Sequence, residues 1–257
     1  MPATVCAIAI APVKGLGLVH PSSVALTAAG VAGDRRYALL DGNGKLANGK
    51  RFGPLVQVRP LDSRDGYLSL GLPDGTELDG DVALGEEVQG VFYGEPRSGR
   101  LVLGPWARAL SDLAGEPLRL IALADGEGID RREDGVVTLQ SQSALDAMAE
   151  AAGIESVDGR RFRMTFTVDG VGAHEEDSWI GRRVRIGGAV IVPAGNVGRC
   201  AITTHDPDTG VKSLDTLKLI ADGRGHIATT EPLPFGVHAA VVEPGPVRVG
   251  DAVLPLG

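Results

Sequence analysis

The stretch GNVGRCAITTHDPDTG, residues 195–210, sets Cys200 between Arg199 and a threonine-rich segment that runs into a turn. Pro207 forces Asp206 towards an extended backbone, while Asp208, Thr209 and Gly210 supply side-chain acceptors and a permissive glycine, so a sharp loop follows the cysteine. A neighbouring cation favours the thiolate form of a cysteine, the form that attacks electrophiles and binds soft metals. The competing reading is a small buried hydrophobe, the usual fate of a lone cysteine. Cys6 is the second of two cysteines in the chain. Two thiols cannot build a four-thiolate zinc site or hold an iron–sulfur cluster. A domain of this size needs no covalent staple, so both are expected as reduced thiols. His174, His205, His226 and His238 lack metal-ligand spacing and receive no catalytic task.

Short strands joined by frequent turns must position this segment. In the first half TVCAIAIAPVKG reads as a strand that ends at Pro12 in a loop presenting Lys14, with a second strand across LVHPSSVALT. A short strand is expected over Arg36–Leu40, followed by DGNG as a hairpin signal, with further strands over LVQVRPL, GYLSLGL and EVQGVFY. PWARALSDLAG has proline at its start, helical apolar spacing and glycine past its end, as a short helix should. SQSALDAMAEAAG is the clearest helix, with a serine cap at Ser141 or Ser143 and a stop at Gly153. RRFRMTFTVDG alternates like a strand, which makes Arg161 and Arg163 outward residues beside inward Phe162 and Met164. RRVRIGGAVIVPAG reads as a hairpin with Gly187 and Gly188 at its tip, SLDTLKLIADG as a brief helix or a strand, and the C-terminal stretch as two more strands.

Composition agrees with this pattern. The chain of 257 residues carries 37 glycines and 16 prolines with few aromatics, which favours many turns and few long helices. The reading is a mainly β (α+β) protein, with a β-barrel-like domain at 1–118 packed on a second β-barrel domain at 119–257 and a few short helices. A net charge of −8 would repel a phosphate backbone, so nucleic acid is not an expected partner. No apolar run reaches membrane-spanning length, and the N-terminal stretch lacks a basic start and a cleavage site, so a soluble cytoplasmic protein with no membrane partner is expected.

Taken in order, APVKG, AGDRRYALLD, DGVVTLQSQSAL, RRFRMTFTVDG, EEDSW, GRCAITTHDPDTG and the terminal VRVGDAV resemble the MOSC family, named after the C-terminal domain of molybdenum cofactor sulfurase. That family includes the mitochondrial amidoxime-reducing component and its bacterial relatives. The resemblance runs over nearly the whole chain. PVKG and GDRRY match the family's N-terminal β-barrel domain, and the later motifs match the MOSC domain proper.

The resemblance implies a molybdenum cofactor, molybdenum bound to a pterin dithiolene, with Cys200 as the protein ligand to the metal. The cofactor then supplies the sulfurs that the chain lacks. Its phosphate calls for a local cluster of cations in an acidic protein. Position by position, Lys14 matches the lysine of the PVK loop, Arg35 the arginine of GDR, and Arg163 the arginine of the family's FRPN stretch. Ser141 falls at a cofactor-facing serine before a helix, and Arg199 adds a further cation. The chain departs from the family at Gly15, where many relatives have serine and a backbone amide would replace the hydroxyl, and at Thr165, which stands for asparagine. Trp179 in EEDSW is expected to anchor its loop by burial. The implied activity is reduction of N-hydroxylated compounds or other N- or S-oxides by oxygen atom transfer from a small-molecule substrate. Electrons would come from a separate protein, a ferredoxin-like donor or a flavin reductase. Three alternatives stay open: a cofactor carrier without turnover, a persulfide carrier or nucleophile that uses Cys200 without metal, and a specialised biosynthetic enzyme, such as a lyase or transferase, on the same scaffold.

Overall fold

The computed structural model describes residues 2–63, 66–124, 135–229 and 231–256. Asp134, the first residue of the DGVVTLQSQSAL motif, lies outside them. The largest sheet has seven strands, in the spatial order β1 (Thr4–Ile8), β13 (Phe166–Asp169), β12 (Val137–Ser141), β16 (Pro234–Glu243), β15 (Ala189–Gly198), β14 (Val184–Ile186) and β18 (Val253–Pro255). Its two edges meet. Thr4 bridges Ala252, and the Val253 amide donates to Ala3 O at 2.9 Å, so the sheet is a nearly closed barrel with few unpaired edge groups. β12 and β13 pair in parallel, which requires a crossover, and α2 (Gln142–Ala152) lies within it. The barrel core holds Val5, Ile8, Phe166, Trp179 and Val237.

A second sheet orders β5 (Leu46–Ala47), β4 (Tyr37–Asp41), β11 (Leu118–Ala122), β10 (Glu95–Leu103) and β9 (Ala83–Phe92). Two three-stranded sheets complete the fold: β17 (Gly245–Arg248), β2 (Ser23–Thr27) and β3 (Gly30–Val31), and then β6 (Arg59–Asp62), β7 (Tyr67–Gly71) and β8 (Glu77–Asp81). A second core gathers Tyr37, Leu39, Leu55, Leu68 and Trp106 against α1 (Trp106–Ala114). α3 (Thr216–Arg224) resolves the ambiguous SLDTLKLIADG as a helix, because Asp215 caps it by accepting from Lys218 N at 3.1 Å.

The division expected between 118 and 119 falls at the first residue of β11, which pairs with β4 and β10 of the N-terminal sheet. The sheets also exchange strands across that point: β1 joins the barrel, and β2 pairs with β17. Val5 and Ile8 fill the barrel core, so the first strand is held there by burial rather than by its place in the chain.

Three local expectations are corrected. LVQVRPL begins as a 3-10 turn over Gly53–Gln57, with Pro54 in its first positions, and becomes β6 from Arg59. RRFRMTFTVDG is extended only from Phe166, since Gly159–Phe162 forms a 3-10 turn and Arg163 turns left-handed at φ +53°. The C-terminal stretch contains three strands rather than two. Among the described residues no helix is long and apolar enough to cross a membrane.

Candidate functional site

The PVKG loop is held by the GDR segment. Asp34 accepts from Ala11 N at 2.7 Å, Arg35 N donates to Ala11 O at 2.8 Å, and Lys14 N donates to Tyr37 O at 2.7 Å. Arg35, left-handed at φ +52°, turns its guanidinium back onto Asp34. Lys14 is buried, its ammonium 5.4 Å from the centre of the Tyr93 ring. Gly15 sits at φ +94°, and a Cβ there would lie 3.0 Å from Asn48 Cα. Serine is therefore strained at this position for steric reasons, and only the backbone of residue 15 faces its surroundings.

Arg163 joins this loop from the other half of the chain. Its Nη2 donates to Leu16 O at 2.9 Å, and its carbonyl accepts from Arg35 Nη2 at 3.5 Å. The left-handed backbone that breaks the expected strand is what turns Arg163 towards the PVKG loop. Arg35 and Arg163 thus meet at the PVKG loop, while the Lys14 side chain of that loop reaches the Tyr93 ring.

Cys200 is exposed and carries a free thiol, as does Cys6. It directly precedes a 3-10 turn over Ala201–Thr204, and its carbonyl accepts from Thr203 N and Thr203 Oγ1, both at 3.1 Å. The buried-hydrophobe reading of this sulfur fails. Ile202, in that turn, lines a cleft of about 250 Å³ with Arg59, Arg160, Arg161, Arg163 and His205.

Three expected site residues bond within the protein. Ser141 is fully buried: its Oγ accepts from His174 N at 3.1 Å and its own amide donates to Glu176, so it does not cap α2 through its hydroxyl. Thr165 is buried, and its Oγ1 meets Thr138 Oγ1 at 3.2 Å. Arg199 clamps the chain, donating from Nε to Phe235 O at 2.9 Å, from Nη1 to Phe162 O at 3.0 Å and from Nη2 to Met164 Sδ at 2.7 Å. All three acceptors are neutral, and desolvation pulls its pKa down to about 9. Trp179 is buried, as expected of an anchor.

Sequence reasoning passed over three cleft residues. Arg161 does not point outward from a strand; Nη1 donates to His205 O and Nη2 to Ser213 Oγ, each at 2.7 Å. Arg160 grips Asp158 and Asp208, its Nη1 and Nη2 reaching the Asp208 carboxylate at 2.8 and 2.7 Å. His205 closes the 3-10 turn after Cys200, and burial, Lys212 and Arg161 hold its pKa below the usual range. The signal for the arginines was their repetition in GRRFR, but a strand reading sends the wrong ones outward. The DPDTG loop is pinned by Asp206, whose Oδ1 accepts from Thr209 N at 2.9 Å, and by Gln57 Nε2, which donates to Thr209 O at 3.2 Å.

Residues 123–254 match the MOSC domain model, and residues 2–92 match the MOSC N-terminal beta barrel domain model. The chain belongs to the MOSC family. Among MOSC relatives, the mouse mitochondrial amidoxime-reducing component 1 is 36% identical over 107 residues, 39% of this chain and 31% of that protein. The human mitochondrial amidoxime reducing component 2 is 38% identical over 99 residues, 36% of this chain and 29% of that protein. The matched segments thus span about a third of these relatives. The YUAD protein from Bacillus subtilis aligns over 98% of this chain and 94% of its own, at 12% identity and a TM-score of 0.46.

The residues fit the family's cofactor in donor chemistry. Among the described residues no group of three or more His, Cys, Asp or Glu side chains converges on a metal position, so a metal at Cys200 needs donors that arrive with it. An exposed thiol two residues along the chain from Ile202, which lines an arginine-rich cleft, suits a metal bound to an anionic pterin.

Proposed function

We propose that this MOSC protein binds a molybdenum–pterin cofactor through Cys200 and reduces N-hydroxylated compounds, or other N- or S-oxides. The observation that carries the reading is the exposed Cys200 thiol, set immediately before the 3-10 turn whose Ile202 lines the arginine-rich cleft. The names of the amidoxime-reducing relatives support the reaction class, over the third of their length that the match spans.

In this reading Cys200 Sγ supplies the protein's bond to the metal, and Arg163, Arg35 and Lys14 neutralise the pterin phosphate at the PVKG loop. Gly15 offers its backbone where a side chain would not fit. Arg199 holds a cation next to the thiol without a carboxylate among its hydrogen-bond partners, which favours negative charge arriving at Cys200. The bound molybdenum supplies two-electron oxygen atom transfer. For an N-hydroxyl substrate the balance is R–NH–OH plus two electrons and two protons to R–NH2 and water, with the electrons drawn from a separate ferredoxin-like or flavin-containing donor. Free thiols and the acidic composition suit a reducing cytoplasmic setting.

The test is molybdenum and pterin content of wild type and Cys200→Ser made in a host that synthesises the cofactor, together with reduction of N-hydroxybenzamidine by the loaded wild type. Loading of wild type with at least tenfold loss of metal in C200S supports the assignment. Equal metal in both proteins removes Cys200 as the ligand, and a loaded wild type that turns over no N-hydroxyl, N-oxide or S-oxide substrate leaves a cofactor carrier.

A further inference from the structure

Besides burying Trp179, the EEDSW turn over Glu175–Trp179 sends one carboxylate to two other elements. Asp177 Oδ1 accepts from Asn196 Nδ2 on β15 at 2.7 Å, and its Oδ2 accepts at 2.5 Å from Nη2 of Arg224, the last residue of α3. Arg224 Nε donates in turn to Pro234 O on β16 at 2.9 Å. Asn196 is buried, and the Arg224 and Asp177 side chains are only 8% and 25% exposed, so the network is largely desolvated.

Both arms of this network lead to Cys200. Asn196 stands shortly before it in the chain, where the pairing of β15 with β16 slips register between Asn196 and Gly198. Such a slip interrupts the ladder and lets a strand bend, so backbone pairing alone does not fix where this end of β15 points. The other arm runs through α3. Its first residue, Thr216, meets Thr203 Oγ1 with its own Oγ1 at 2.7 Å, and Thr203 Oγ1 donates to Cys200 O at 3.1 Å. Arg199 adds a hold on Phe235 O, the carbonyl next to the one that Arg224 grips. The segment bearing the thiol is thus held before Cys200 by Asn196 and after it by Thr203. Asp177 reaches the first directly and the second through Arg224 and α3.

Accepting Cys200 as the metal ligand, on which this inference rests, we propose that Asp177 is a positioning residue: through Asn196 and Arg224 it fixes the place of the Cys200 sulfur. A desolvated ion pair adds little net stability over apolar packing of the same volume, whereas its charge-assisted hydrogen bonds fix direction. An amide in place of the carboxylate leaves the Arg224 cation buried against neutral partners only, so both arms slacken together.

The test has two parts: amide hydrogen exchange of the metal-free protein, and molybdenum content with the molybdenum-edge X-ray absorption spectrum of the loaded protein. Both are measured on wild type, Asp177→Asn, Asn196→Ser and Glu175→Gln. Glu175 accepts from Gly172 N within the same loop, so E175Q disturbs the turn without cutting either arm. D177N should speed exchange of the Arg199 and Thr203 amides at least about tenfold, while the amides of Phe166–Asp169 in the same barrel change by less than about twofold. N196S, which cuts one arm, should speed the Arg199 amide at least about threefold, and E175Q should move neither amide by more than about twofold. Loaded D177N should show a changed absorption spectrum or at least about fivefold less metal. Equal acceleration throughout the barrel, or none at Arg199 and Thr203, overturns the proposal and leaves Asp177 a structural strut. An unchanged spectrum and metal content in D177N also overturns it, as does an E175Q protein that behaves like D177N. If D177N does not fold, N196S decides: faster Arg199 exchange with a changed spectrum supports the proposal, and anything less rejects it. If wild type takes up no metal, the reading of Cys200 as ligand fails separately, and the exchange comparison alone decides whether Asp177 fixes the segment that carries the sulfur.

Discussion

Gly210 and Gly53 touch backbone to backbone, so closely that a Cβ on Gly210 would lie 2.1 Å from Gly53 O. Gly210 also sits at φ +72°. The DPDTG loop thereby closes onto the 3-10 turn at Gly53–Gln57. Gly210→Ala combines strain with a clash against backbone that cannot swing aside, and should cost about 3 kcal/mol or more. Gly33→Ala, at φ +81° with nothing within 4 Å of the new methyl, should cost only about 1–2 kcal/mol. Chemical denaturation of both variants checks the ordering, which equal losses would reverse.

The Arg160–Asp208 pair ties the same loop to the 3-10 turn that precedes Arg163. Both side chains are over a third exposed, so the tie is worth at most about 1 kcal/mol, and Asp208→Asn should speed exchange of the Gly210 amide by no more than about fivefold at pH 7. The Arg160 hydrogen bond holds the Asp208 carboxyl below its usual range. A depressed carboxylate stabilises above its unfolded value and loses that contribution as pH falls through the native one, so the difference between D208N and wild type should persist down to about pH 3.9 and disappear below it. A difference that vanishes already near pH 6 would assign the tie to another group.

His174 packs edge-on against Phe235, with ring centres 5.2 Å apart. Desolvation, and then the Arg224 charge, lower its pKa to about 4. The unfolded chain binds a proton here near the ordinary histidine value of about 6.5, so stability from the neutral ring is complete above that pH and is lost as pH falls towards 4. His174→Gln should accordingly lose roughly 4 °C less Tm than wild type between pH 7 and pH 4.5. Parallel Tm profiles would show that His174 is not the group responsible.

Arg163→Ala removes one charge-assisted bond to Leu16 O and one cation from the PVKG neighbourhood. Stability should fall by about 2 kcal/mol, while pterin retained after gel filtration should fall about tenfold or more. Matched losses in both measurements would make Arg163 a structural strut alone.

Much of this protein could be read before it was seen folded. The helix over 142–152 and the hairpins at DGNG and at Gly187–Gly188 follow from local rules, because helix stops, turns and short-range periodicity act within a few residues. The order of the motifs identified the family and singled out Cys200. The GRRFR stretch shows where such rules stop: an alternating pattern implies a strand, yet Asp158 caps a 3-10 turn and Arg163 turns left-handed, reversing which arginines face the cleft.

By itself, then, the sequence determined the β-rich class and the turn positions, since each depends on composition or near neighbours. Only the tertiary structure decided that β1 belongs to the barrel, that Ser141, Thr165 and Arg199 bond within the protein, and that Arg161 meets His205 at the cleft. Those outcomes turn on partners far along the chain, such as Leu16 for Arg163, 147 residues away, and on burial that no local pattern encodes.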